Sequence, residues 1–139
     1  MAGYSGTPLP QKLGIKANYK VALRNLPADV RKEVQAALAD CEIATTGKVA
    51  LELIINFVIT KKDLLASFPI WASRLTPAGM LWIAWPKKSS GVPRNLDQNK
   101  IREVGLAGGL VDVKVCAINE TWSGLKFVRR VADRAKPLA

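Results

Sequence analysis

The sequence predicts a three-layer α/β sandwich. About five or six strands form a mainly parallel sheet, helices cover both faces, and an antiparallel hairpin closes the C-terminal end. Three observations carry this expectation. Strand-like and helix-like segments follow one another in the order β-α-β-β-α-β-α-β-β. Leu51–Ile59 is a nearly continuous, β-branched apolar run, the pattern of a strand buried on both faces. Leu75–Ser90 reads as a helix end, a tight turn, a buried strand and then an abrupt polar, basic loop. In open α/β sheets, ligand sites lie off the C-terminal ends of the strands, so the last segment also indicates where to look.

Each element has a local justification. Residues 1–10 are rich in Gly, Ser, Thr and Pro and read as an N-terminal arm. Gln11–Ile15 suits a short helical turn, and Lys20–Asn25 a short strand. Pro27, with fixed φ and no N–H, suits the first turn of a helix. Val30, Val34, Ala37, Leu38 and Cys41 follow at helical spacing, so Pro27–Ala39 is an amphipathic helix. Glu42–Thr46 is β-like and ends in Thr45-Thr46-Gly47. Thr60 and Asp63 form a variant capping box for a helix whose inner face is Leu64, Phe68, Trp71 and Leu75. Pro69 within it predicts a bend or break near Ser67. Thr76-Pro-Ala-Gly79 is read as a turn into the strand Met80–Trp85. Asp97 caps a helix running to about Ala107, with Ile101 and Val104 inward and Gly108-Gly109 as its stop. Val111, Val113 and Val115 alternate with Asp112, Lys114 and Cys116. Thr121–Gly124 reads as the hairpin turn and Leu125–Val131 as the closing strand. Residues 132–139 are a basic tail.

Composition narrows the function. A chain of 139 residues with 49% hydrophobic content is one domain with a real core. No apolar run approaches the roughly 18 residues of a membrane span, and the N-terminus shows no secretory pattern, which suits a cytoplasmic protein without a membrane partner. There is no histidine. That removes the commonest general base and metal ligand and excludes Ser-His-Asp and Cys-His catalysis. Cys41 and Cys116 are too few for a structural zinc site and read as reduced thiols. The net charge of +10 favours anionic partners: a small molecule or nucleotide, or nucleic acid. It also serves plain solubility.

Strand-end logic gathers one candidate site. The loop after Met80–Trp85 and the turn after Val111–Ile118 fall on the same edge, which would bring Lys87, Lys88, Ser89 and Ser90 near Glu120, Thr121, Trp122 and Ser123. Thr60 and Lys61 end the neighbouring strand. Two ammoniums, several hydroxyls and an indole suit a phosphate or nucleotide. The plainer reading gives the serines to turn capping and the indole to covering the sheet end. Lys-Lys-Ser-Ser is not a P-loop, because the preceding glycine pattern is missing. Glu52 and Asn56 share a face of the buried strand; the acid needs a partner, with Lys20 and Arg24 as candidates, and reads as a structural pair near the strand start rather than a catalytic group. Glu120 is a lone general-base candidate, or a hairpin charge pairing Lys126. Trp71 and Trp82 read as core.

From Leu51 to Arg130, the sequence of strand, helix, Leu-Thr-Pro-Ala-Gly, strand, helix and terminal hairpin resembles the C-terminal half of class I S-adenosylmethionine methyltransferases, which are Rossmann-like. In addition, Tyr4–Leu9, Trp85–Gly91 and Glu120–Lys126 resemble the signatures of a small bacterial family catalogued as a domain of unknown function. The first resemblance implies a methyltransferase-like sheet with its last strand antiparallel. That superfamily places a Gly-rich loop after the first strand and an acid after the second. Here Val21–Pro27 has no glycine, and the second stretch ends in Thr45-Thr46. The expectation is therefore a non-catalytic relative without a cofactor, binding an anionic ligand or partner at the sheet edge. Two alternatives stay open, sequence-nonspecific nucleic-acid binding and a degenerate S-adenosylmethionine-dependent transferase, and a purely structural, protein-binding role is favoured if neither is found.

Overall fold

A computed structural model of the protein describes residues 7–44, 47–93 and 95–135. The N-terminal signature Tyr4–Gly6, Thr45-Thr46 and the end of the basic tail lie outside the described residues. Among these, the elements are α1 (Leu9–Leu13), β1 (Lys20–Arg24), α2 (Ala28–Leu38), β2 (Glu42–Ile43), β3 (Leu51–Phe57), α3 (Lys61–Ala72), β4 (Leu75–Pro86), α4 (Gln98–Ala107), β5 (Leu110–Ala117) and β6 (Trp122–Arg129). The six strands form one sheet in the order β2-β1-β3-β4-β6-β5. Pairs β1–β2, β1–β3 and β3–β4 are parallel, and β6 is inserted antiparallel between β4 and β5.

The apolar run that marked β3 as buried occupies an interior position of the sheet, and Leu53, Ile54, Ile55 and Asn56 have no solvent exposure. Strand alternation divides these residues between two cores. Leu53, Ile55 and Phe57 pack with Val30 and Val34 of α2 and Leu9 and Leu13 of α1. Leu51 and Ile54 pack with Leu64 and Phe68 of α3 and Ile101 of α4. Three layers result, because each sheet face needs its own apolar cover. Trp82 joins the α1 face, and its indole N–H donates to the Leu13 carbonyl at 2.9 Å, fixing the short first helix to the sheet.

Several local expectations are corrected. Helix α3 runs through Pro69 without a break. Both Pro69 and Leu65, whose carbonyl loses its donor, are exposed, so this turn of the helix faces solvent, where an acceptor without an intrahelical donor costs little. Thr76–Gly79 is an irregularity inside β4 rather than a turn before it: Leu75 already pairs with Leu51, and Glu52 of β3 then faces the four residues Thr76–Gly79 before Leu53 pairs with Met80. Leu75 accordingly belongs to the strand, while Trp71 is half-buried rather than core. A second irregularity between Asp112 and Lys114 breaks the alternation of β5, placing Val111 and Val115 on opposite faces. The hairpin turn lies at Asn119–Thr121, ahead of the expected position. Asn119 Oδ1 accepts from the N–H groups of Thr121 and Trp122, and Gly124 is inside β6 against Trp82. An Asx turn did the work expected of glycine.

The caps follow the sequence. Thr60 Oγ1 accepts from Asp63 N–H at 3.1 Å, and Asp97 Oδ1 accepts from Lys100 N–H at 2.9 Å. Arg102 of α4 pairs with Asp112 of β5 at 2.9 Å, tying the last helix to the edge strand.

Candidate functional site

The C-terminal ends of β1, β3 and β4 lie on one edge of the sheet, and antiparallel β6 starts there. The register pairs Pro86 with Trp122 and Trp85 with Ser123. Beyond the last pair, Lys87 N–H donates to the Thr121 carbonyl at 2.7 Å. The loop after β4 and the β6 turn are thus adjacent, although about thirty residues separate them. Lys87 and Thr121 are in direct contact, and the chain carries Lys88, Ser89 and Ser90 on one side of that contact and Glu120, Trp122 and Ser123 on the other, at the same edge.

Their roles differ. Lys88, Ser89 and Glu120 are exposed. Ser90 serves the turn: its hydroxyl donates to the Lys87 carbonyl at 2.7 Å and accepts from Val92 N–H at 3.2 Å. Gly91, at φ 78°, closes that turn in the left-handed region. Trp122 is half-buried, with its ring edge-on to Phe57 at 5.0 Å and 85°. It therefore walls the edge as well as facing it. The Thr60 hydroxyl is engaged as the cap of α3. The loop reaches that helix at its far end, where Asn95 Oδ1 accepts from Lys61 N–H at 2.7 Å. One loop thus runs from the β6 turn to the N-terminus of α3.

The chain order reverses between β1 and β3, the place where open α/β sheets form a ligand crevice. A side-chain network occupies it. Arg24, the last residue of β1, donates to both carboxylate oxygens of Asp63 at 2.7 and 2.9 Å, and to Asn56 Oδ1 at 3.1 Å. Asn56 Nδ2 donates to Ser67 Oγ at 2.9 Å, and Ser67 Oγ donates to the Asp63 carbonyl at 2.7 Å. The guanidinium is held further above its ordinary pKa by its hydrogen bonds to Asp63, against the opposing effect of burial. Asn25 follows at φ 57°, adopting the left-handed backbone a glycine would favour, and its amide donates to the Phe57 carbonyl at 3.2 Å. The sequence offers Lys20 and Arg24 as partners for the acid Glu52; Arg24 instead engages Asn56 and Asp63, a pairing the sequence reading does not contain. The available signal was that a strand's last residue and the third residue of the following helix meet at one edge. Glu52 takes the other candidate, accepting from the Lys20 backbone N–H.

A basic strip continues down the α1 face of the hairpin. Lys114 and Lys126 are cross-strand partners; Lys114 Nζ donates to the Lys12 carbonyl at 3.2 Å, and Lys126 Nζ lies 5.9 Å from the Trp82 ring centroid. Burial lowers the Lys126 ammonium pKa, and Lys114 lowers it further. Burial raises the Cys116 thiol pKa, against the combined pull of Lys12, Lys114, Lys126 and Lys87. Among the described residues, no group of three or more His, Cys, Asp or Glu side chains could hold a metal. Nor, among the described residues, is any helix long and apolar enough to cross a membrane.

No family model and no curated protein matches the chain. Solved structures do resemble it. A TehB-like SAM-dependent methyltransferase from Corynebacterium glutamicum aligns at TM-score 0.56 and 9% identity, over 93% of this chain and 91% of that one. Magnesium protoporphyrin IX methyltransferase from Synechocystis, with bound SAH, aligns at TM-score 0.54 and 10% identity, over 88% and 78%. A SAM-dependent methyltransferase from Aquifex aeolicus aligns at TM-score 0.54 and 9% identity, over 84% and 85%. The chain has a Rossmann-like, methyltransferase-like fold, as its strand and hairpin order led us to expect.

Proposed function

We propose that this protein is a non-catalytic, methyltransferase-like domain that binds an anionic ligand or partner at the C-terminal edge of its sheet. The observation that carries the reading is the Lys87–Thr121 backbone hydrogen bond, which fixes the basic loop against the β6 turn. Lys87 and Lys88 supply charge, Ser89 a hydroxyl, and Trp122 a wall. The Arg24–Asp63 pair supports the non-catalytic half of the proposal. It fills the switch-point crevice with an engaged ion pair where close approach of a cofactor needs open backbone. The resemblance of Trp85–Gly91 and Glu120–Lys126 to a bacterial family of unknown function falls on the same edge.

Replacing Lys87 and Lys88 together by alanine tests the proposal. Affinity for pyrophosphate or a nucleoside diphosphate should fall about tenfold, a difference of roughly 1.4 kcal/mol. The melting temperature should fall little, because Lys88 is exposed and the Lys87–Thr121 contact is made by backbone atoms that the substitution keeps. Unchanged affinity, with or without a lower melting temperature, contradicts it.

The Lys114–Lys126 pair favours a second reading, nucleic-acid binding. Like charges placed directly opposite are destabilising and would be relieved by a polyanion. That reading requires affinity for single- or double-stranded nucleic acid to fall steeply with salt, whatever the base sequence.

A further inference from the structure

A second concave surface lies away from the C-terminal edge, along the lateral margin of the sheet. β2 is one of the two edge strands and, among the described residues, pairs with β1 at Glu42 and Ile43. Beside it opens a cleft of about 550 Å³, within the range of roughly 300–1,000 Å³ typical of small-molecule sites. Its floor includes Ala22 and Leu38, both buried. Its walls carry Arg31 and Gln35 from α2, and Trp71 and Arg74 from the end of α3 and the link to β4.

Arg74 is held from three sides. Its carbonyl accepts from Leu51 N–H at 2.7 Å, its Nε donates to the Val49 carbonyl at 3.3 Å, and its guanidinium carbon lies 5.6 Å from the Trp71 ring centroid. Yet its Nη2 is buried without an acceptor. A buried charged donor left unsatisfied costs free energy, and a turn of the side chain toward an acceptor bound in the cleft would recover it. Arg31 adds a second guanidinium, one helical turn from Gln35, and among the described residues no carboxylate lines the cleft. Two guanidiniums, whose planar forks match phosphate or carboxylate, a half-buried indole and an apolar floor specify both charge and shape.

We infer that the β2-edge cleft is a binding site for a small planar aromatic anion, whose charged group bridges Arg74 and Arg31 while its ring packs against Trp71. This goes beyond the edge site and uses none of its residues. The anion could be the phosphate of a nucleoside monophosphate or the carboxylate of an aromatic acid, and the test separates them.

The full chain, labelled for detection of indole N–H signals, is titrated with AMP and UMP in one arm and with 4-hydroxybenzoate and indole-3-acetate in the other. A Trp71→Phe variant assigns the Trp71 signal. A saturable shift of that signal below about 1 mM ligand supports the inference, and the arm that produces it names the source. Arg31 is exposed on its helix, so Arg31→Gln should weaken binding at least fivefold with an unchanged melting temperature. Arg74→Lys, which keeps charge but loses the fork, should weaken it further. Silence of Trp71 in both arms overturns the inference. So does a shift confined to Trp122, which would move the ligand to the C-terminal edge and leave the earlier proposal standing. Binding that Arg31→Gln leaves intact also overturns it.

Discussion

Asp63→Ala should destabilise the protein by about 2–3 kcal/mol, and Arg24→Ala by as much or more. The magnitude follows from the geometry. Arg24 and Asp63 are 33% and 28% exposed at their side chains and share two charged hydrogen bonds. Breaking a fully buried pair costs about 3–5 kcal/mol, and an exposed one about 0–1, so this pair falls between. Asp63→Ala also removes an acid from the first turn of α3, worth about 0.3–1 kcal/mol. Arg24→Ala leaves Asn56 Oδ1 without its donor in a side chain that has no solvent exposure, adding about 1–3 kcal/mol. The double variant should therefore cost less than the sum of the singles, by about 1–2 kcal/mol. Urea unfolding of the four proteins measures the cycle. Strict additivity, or single-variant losses below about 0.5 kcal/mol, would refute the argument, because the crevice would then hold two solvated charges rather than a coupled plug.

Other expectations bear on packing and titration. Gly105→Ala puts a methyl group into the ring of fully buried Phe127, itself edge-on to Phe68 at 5.4 Å. Overpacking of about 1–3 kcal/mol should outweigh a helix-propensity gain of about 1 kcal/mol, and a raised melting temperature would contradict this. Trp122→Ala should cost about 2–4 kcal/mol through the lost contact with Phe57, read by thermal unfolding. Burial and Lys114 depress the Lys126 pKa, so the unfolded chain binds its proton more tightly than the folded one. The penalty is complete below the folded pKa and fades as pH rises through it toward the unfolded value. Lys126→Met should therefore raise the melting temperature at neutral pH, by a margin that shrinks at alkaline pH; a constant margin counts against the assignment. Burial raises the thiol pKa of both Cys41 and Cys116. Each should alkylate more slowly near neutral pH than a free cysteine in a peptide, as mass spectrometry would read.

The parts of the fold legible in sequence were those that a single physical pattern dictates. β3 announced itself by apolar continuity, α2 by its spacing, α3 and α4 by side-chain caps, and the adjacency of Lys87 and Thr121 by strand-end topology. The misplaced features depend on partners distant in sequence. The excursion at Thr76–Gly79 exists because Leu75 pairs with Leu51, and the slip at Val113 because β6 sets the register of β5. Pro69 could remain helical because its turn faces water, which sequence alone does not reveal. The same limit applied to the sites. Arg24 and Asp63 lie 39 positions apart, and the cleft at Arg74 requires β2 to be a two-residue edge strand. A half-buried tryptophan such as Trp71 looks like core until the missing neighbour is seen.

The most direct test of the central claim is a backbone amide titration of the labelled protein with pyrophosphate and, separately, with S-adenosylhomocysteine. Binding of an anion at the C-terminal edge predicts saturable shifts with pyrophosphate at Lys87–Gly91 and Asn119–Ser123, and none with S-adenosylhomocysteine at the ends of β1 and β2. Micromolar S-adenosylhomocysteine binding that shifts Arg24–Leu26 and Ile43–Ala44, with the Lys87 loop silent to pyrophosphate, would contradict it and put the transferase alternative first.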